Sequence, residues 1–159
     1  MSEGRNLLFD KFIEKFVEVG GEFYPSLSSF LNRIEERDIA CQSDLLELIG
    51  DLIKDGFRLV EFESASIAIT RPCALVVETG SLIYSFDDKE EFKLISLPYI
   101  HVNILDGVPI FETLEGAIEK NPGKYISIVT GPSKTGDIEL IHVFGVHGPG
   151  RLIGVGYVR

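Results

Sequence analysis

The chain has 159 residues, 45% of them hydrophobic and 25% charged, with a net charge of −10. That length suits one domain, residues 1–159, with a real hydrophobic core, and that charge excludes nucleic acid as a general partner, because the surface as a whole repels a polyanion. Cys41 and Cys73 lie far apart with no ligand spacing for zinc or an iron–sulfur cluster; no apolar run reaches membrane-spanning length, and the charged opening MSEGRNLLFDKFIEKF lacks the apolar stretch of a signal segment. The expectation is a reduced, cytoplasmic domain that contacts no membrane.

The first third alternates helices with short strands. Phe9, Phe12, Ile13, Phe16 and Val17 repeat at helical spacing and stop at Gly20-Gly21. EFYP then reads as a strand. Leu27, Phe30, Leu31 and Ile34 form a second apolar face behind Ser26 as N-cap. IACQ is a strand again, followed by a third helix with Asp44 and Glu47 spaced as a capping box, with Leu45, Leu48, Ile49, Leu52 and Ile53 turned inward and a stop at Gly56. From Phe57 onward FRLVEF, SIAIT, ALVVE, SLIYSF, YIHVNIL, YISIVT and RLIGVGYV are short strand-like runs, and DDKEE (87–91) reads as a charged hairpin tip. One further helix is predicted from a Thr113 cap to Asn121-Pro122-Gly123. Strand–helix–strand order implies right-handed crossovers and a mostly parallel sheet with helices on its faces, a three-layer α/β fold.

Charge is uneven along the chain. Residues 1–64 carry 7 basic and 14 acidic side chains, whereas residues 120–159 carry five basic and two acidic ones. A small anion suits that locally positive end. Two clusters that close strands carry the candidate chemistry: Glu78-Thr79-Gly80-Ser81, and the stretch TGPSKTGDIELIHVFGVHGPG that begins at Thr130. Turns of Thr, Gly and Ser expose backbone N–H groups and hydroxyls with little bulk in the way, which suits an anion or a phosphate outside the carboxyl ends of parallel strands. Neither cluster matches a Walker loop, a dinucleotide loop or a serine-hydrolase elbow.

Glu78 closes an apolar strand and is expected to be partly buried. It serves either as nucleophile or general base, or as a carboxylate that accepts turn N–H groups and ties two loops together. Asp137 and Glu139 share a face if they lie on a strand, as an acid pair, a weak magnesium site or turn caps. His147, between glycine and proline turns, is an acid/base candidate or a partner for backbone carbonyls. His101 and His142 sit in apolar runs and read as structural. No trio of histidines has metal-ligand spacing, and neither a metal nor another cofactor is expected.

These two clusters resemble the signatures of the LUD-domain family, typified by lactate utilisation protein C. Members carry T-G-P-S-[RK]-T-x-D-I-E and then G-V-H-G-P, as in TGPSKTGDIELIHVFGVHGPG, and an A-E-T-G-[ST] segment upstream, as in ITRPCALVVETGSL. The likeness covers residues 65–159 well and the N-terminal helices in outline. It implies an α/β fold of the NagB/RpiA/CoA-transferase type. The ligand-contacting residues it points to are Thr79, Gly80, Ser81, Thr130, Gly131, Ser133, Lys134, Thr135, Asp137, Glu139 and His147, with Glu78 as the catalytic candidate. It also implies a place in oxidation of L-lactate to pyruvate, beside iron–sulfur partner proteins, as a non-redox ligand-binding or regulatory subunit. Three departures bear on the site: Arg71-Pro72-Cys73 replaces a run of small residues and Asp, Lys134 stands where Arg is usual, and Gly136 where Ala is usual. Two alternatives follow from the same residues. One is an enzyme acting on an acyl-CoA or folate-like substrate, because Glu78-Thr79-Gly80 is similar to the E-x-G turn of class I CoA transferases. The other is an orphan domain that keeps the fold without the site.

Overall fold

A computed structural model describes residues 3–132 and 149–158. Helix α1 (Glu3–Glu18) leads through Gly20-Gly21 into strand β1 (Glu22–Ser26) and the short helix α2 (Leu27–Leu31). Ser26 caps α2 as predicted: its side chain accepts from Ser29 N, and Ser29 Oγ returns the bond to Ser26 N. Strand β2 (Asp38–Cys41), a 3-10 turn, α3 (Leu46–Lys54) and β3 (Arg58–Leu59) follow, then β4 (Ile67–Thr70). The Asp44/Glu47 capping box does not form. Residues 43–45 make a separate 3-10 turn, α3 starts at Leu46 with no side-chain cap, and Ile53 is exposed.

Strands β5 (Ala74–Val76) and β6 (Ser81–Phe86) come next, then α4 (Lys93–Ser96), β7 (Ile100–Ile104), β8 (Ile110–Phe111), α5 (Leu114–Lys120), β9 (Tyr125–Val129) and β10 (Arg151–Tyr157). The DDKEE segment is not a hairpin tip. Asp88 Oδ1 accepts Glu90 N–H and opens a 3-10 turn that runs on into α4, a helical link between two different sheets. The main sheet, in the order β1-β10-β7-β4-β2-β3, is parallel throughout.

Alternation along its strands sorts the core into two sides. Ile67, Ile69, Ile100, Val102, Ile104, Ile153 and Val155 face α2 and α3, where Leu27, Phe30, Leu45 and Leu52 cover them. Leu152 faces the other way, with Gly154 between it and the end of the strand, onto Phe12 and Phe16 of α1 and onto a second sheet. That second sheet has the order β8-β5-β6-β9 and is antiparallel at β5–β6 and β6–β9. It carries α5 on its far side through Ala117 against Ala74, Val76 and Ile83. Only four residues, Val77–Gly80, join β5 to β6, and a connection that short fits antiparallel neighbours alone.

A buried polar network joins the two sheets. His101 and Asn103 are two residues apart on β7 and so share a face. Thr70 Oγ1 lies 2.6 Å from His101 Nε2 and 2.5 Å from Tyr84 OH, Tyr84 OH donates to Asn103 Oδ1, and Asn103 Nδ2 donates to Ile153 O at 3.0 Å. Replacing Tyr84 with phenylalanine keeps the ring and strands the buried Asn103 oxygen, at a cost of about 1–3 kcal/mol. A lowered urea midpoint with an unchanged slope is the expected result.

Burial pushes His101 down to about 3, so it stays neutral in the folded state. An unfolded chain binds that proton near the ordinary 6.5. The stability contributed by neutral His101 is therefore fully present above about pH 6.5 and drains away as pH falls toward 3. Its imidazole C–H resonances are expected to hold still between about pH 8 and pH 5; titration near 6.5 contradicts the network.

Candidate functional site

The glutamate cluster lies in the β5–β6 hairpin turn. Val76 and Ser81 pair across the hairpin, Gly80 N–H donates to Val76 O at 2.9 Å, and Gly80 takes φ +67, a left-handed conformation that favours glycine. The second cluster leaves β9, which pairs with β6 so that Leu82 meets Val129. One step further along that register, Ser81 meets Thr130. Their hydroxyl oxygens are 2.6 Å apart, and Ser81 Oγ also lies 2.7 Å from Thr79 Oγ1. Three hydroxyls thus run from Thr79 through the fully buried Ser81 to the exposed Thr130. Two segments about fifty residues apart in sequence are brought together by strand register.

Both turns rest on the end of α1. A Cβ on Gly80 would sit 2.8 Å from the Lys15 carbonyl carbon, and one on Gly131 (φ +71) would sit 2.3 Å from Val19 O. One on Gly20 would sit 2.9 Å from Pro132 Cδ. Lys15 to Gly20 immediately precede β1, so these contacts place the turns at the amino ends of the parallel strands. The expectation of a position outside the carboxyl ends is corrected here. The strands that run into these turns, β5 and β9, belong to the antiparallel sheet, where the carboxyl-end rule of parallel sheets does not apply.

Glu78 is exposed rather than partly buried. Its Oε1 accepts Leu114 N–H at 2.9 Å, and its own N–H donates to Glu112 O at 3.1 Å. The carboxylate thereby satisfies one open N–H at the start of α5, while Thr113 Oγ1 accepts another from Gly116 at 3.1 Å. Glu78 ties the hairpin turn to the β8–α5 connection. Ser133, Lys134, Thr135, Asp137, Glu139, His142 and His147 lie outside the described residues.

The departure at Arg71-Pro72-Cys73 carries β4 of the main sheet into β5 of the second. Arg71 N–H donates to Gln42 Oε1 at 2.7 Å, Pro72 is buried and Cys73 N–H donates to Ile83 O at 2.8 Å. Both cysteines are free, and burial pushes Cys41 up to about 11, with the charge of Asp44 adding to the effect. Neither thiol is activated as a nucleophile. Among the described residues no group of three His, Cys, Asp or Glu is placed to hold a metal ion, and no helix is long and apolar enough to cross a membrane.

The model of the LUD domain matches residues 26–155, from the β1/α2 junction to the last strand. The chain belongs to the LUD domain family. This LUD domain is 31% identical over 110 residues to lactate utilization protein C of Deinococcus radiodurans, covering 64% of this chain and 52% of that protein. It is 32% identical over 128 residues to lactate utilization protein C of Anoxybacillus flavithermus, covering 77% and 53%. The chain thus spans about half the length of these curated relatives. Among solved structures, a DUF162 family protein from Deinococcus radiodurans aligns over 100% of this LUD domain and 99% of its own chain, with a TM-score of 0.67 and 17% identity. That likeness bears on the fold alone.

Sequence reading missed the Thr70–Tyr84–His101–Asn103 network. Its signal is present in IHVNI, where polar residues two apart occupy one face of an otherwise apolar strand.

Proposed function

We propose that this chain is a non-redox component of a lactate utilisation system, in which the Glu78–Ser81 and Thr130–Gly131 turns bind a small anion. The observation that carries the reading is the Ser81–Thr130 hydroxyl contact. It joins two motif turns into one polar surface, in a chain whose curated relatives bear the name lactate utilization protein C. Thr79 and Thr130 supply hydroxyls on the turns that Gly80 and Gly131 seat against the end of α1. Lys134, four residues beyond Thr130, supplies the charge that a carboxylate or phosphate needs. Electron transfer then falls to iron–sulfur partner proteins in the cytoplasm, since Cys41 and Cys73 have no ligand spacing.

The exposure of Glu78 weighs against a nucleophile for an acyl-CoA substrate, which would need a desolvated carboxylate beside oxyanion donors. Its bond to Leu114 N–H also engages one of the two carboxylate oxygens in holding the start of α5.

The test is a thermal-shift panel of L-lactate, pyruvate, phosphate, CoA, acetyl-CoA and folates on the wild type, Ser81→Ala and Glu78→Gln. A ligand at about a hundred times its Kd stabilises by about 2.7 kcal/mol. The expected result is a shift with lactate or pyruvate that Ser81→Ala weakens and Glu78→Gln leaves in place. A shift confined to CoA or folates and abolished in Glu78→Gln favours the enzyme reading instead, and no shift with any anion overturns the binding site.

A further inference from the structure

We propose that the cavity at the carboxyl ends of β1, β7 and β10 is a second binding site, for a small aromatic molecule carrying a protonated amine. It stands at the opposite end of the parallel strands from the motif turns, and it does not rest on the anion reading above. The cavity measures about 590 Å³, within the range of about 300–1,000 Å³ typical of small-molecule sites.

Its position is the one at which open parallel sheets bind ligands. Phe23 and Pro25 come from β1, Gly156 and Tyr157 from the end of β10, and Leu105 to Val108 from the turn that follows β7. Helix α1, which runs back along the sheet, adds Phe9 and Asp10. The walls are apolar, and the Phe9 and Phe23 rings meet edge to face at 6.1 Å. Gly156 keeps one wall low: a Cβ there would come within 3.0 Å of Pro25 O and 3.4 Å of the Phe23 ring.

Among the described residues, the charges lining the cavity are all of one sign. Asp10 and Asp106 contribute carboxylates, and among the described residues no lysine or arginine lines the cavity and neither aspartate has an ion-pair partner. The turn at Gly107 (φ +76), closed by Val108 N–H on Leu105 O at 3.2 Å, fixes the backbone of Asp106 at the rim. Aromatic faces and carboxylates both attract a cation, and a chain of net charge −10 reinforces them. Lactate, pyruvate and phosphate meet repulsion there. The chemistry that fits is a flat apolar body for the Phe9/Phe23 wall and one ammonium group for Asp10 and Asp106.

The probes are 2-phenylethylamine and its anionic shape analogue 3-phenylpropionate, followed by amide NMR of the wild type and of Asp10→Asn with Asp106→Asn. The expected result is a saturable shift of the Gly107, Gly156 and Tyr157 amides with the amine and none with the acid. Removing both charges weakens the amine about tenfold, while the rest of the spectrum reports an unchanged fold. Equal binding of amine and acid, an amine affinity that ignores both substitutions, or no saturable shift at these amides overturns the proposal. Any of these outcomes leaves the Ser81–Thr130 surface, which is read by its own anions and its own amides, untouched.

Discussion

Replacing Gly131 with alanine is expected to lower stability by about 2–5 kcal/mol, out of proportion to one methyl group in a turn. Two costs add. A left-handed conformation at φ +71 costs a non-glycine residue about 1–2 kcal/mol. The new Cβ would also lie 2.3 Å from Val19 O, a backbone atom that no rotamer change can move aside. Overpacking of that kind costs about 1–3 kcal/mol. The turn must therefore lift off the end of α1, carrying Thr130 away from Ser81. A lowered denaturation midpoint together with weakened anion binding is the expected pair of results. A variant with unchanged stability would mean that the turn does not rest on α1 as described.

The second large effect is at Phe16. Phe16→Ala is expected to cost about 3–5 kcal/mol, a large share of the 5–15 kcal/mol that holds an ordinary domain folded. Its ring is fully buried, stacks on Phe12 at 5.5 Å and lies against Gly21 and Gly154. A Cβ on Gly21 would come within 2.5 Å of that ring. Gly154 on β10 and Gly21 just before β1 give the ring room, and neither has a side chain that could relax into the space it leaves, which puts the cost toward the upper end. Urea unfolding of Phe16→Ala against Phe16→Leu separates the cavity from loss of the aromatic ring. The leucine variant should recover most of the stability. Phe16 also follows the Lys15 carbonyl against which Gly80 packs, so its loss loosens the platform under both motif turns.

Much of the fold was legible where one period dominated a segment. Phe12 and Phe16 at helical spacing gave α1, Ser26 gave the α2 cap, and IAIT, IHVNI and RLIGVGY gave the parallel strands with the mostly apolar character of a sheet covered on both faces. The second sheet was hidden because ALVVE and SLIYSF look like buried parallel strands. The only local sign was the four-residue spacing around Gly80, which a close pair of opposed strands requires. Strand β8, two residues long, left no period to read. DDKEE failed for a different reason: a charged run between apolar ones fits a hairpin tip and a helix start equally, and Asp88 as a cap decides it only once its bond to Glu90 is known.

The site was half legible. Residue types at Thr79, Ser81 and Thr130 marked polar turns, but their meeting depends on the β6–β9 register, which no local pattern encodes. The cavity at the other end of the sheet left no motif at all, because Asp10, Phe23, Asp106 and Tyr157 come from four separate segments and look like ordinary surface and core positions.

The most direct test of the account is amide NMR of the wild type titrated with L-lactate. Saturable shifts at Gly80, Ser81 and Gly131, with Gly107 and Gly156 unmoved, are the predicted result. Shifts at Gly107 and Gly156 instead, or no saturable shift anywhere, would contradict the claim that the two motif turns form the anion site.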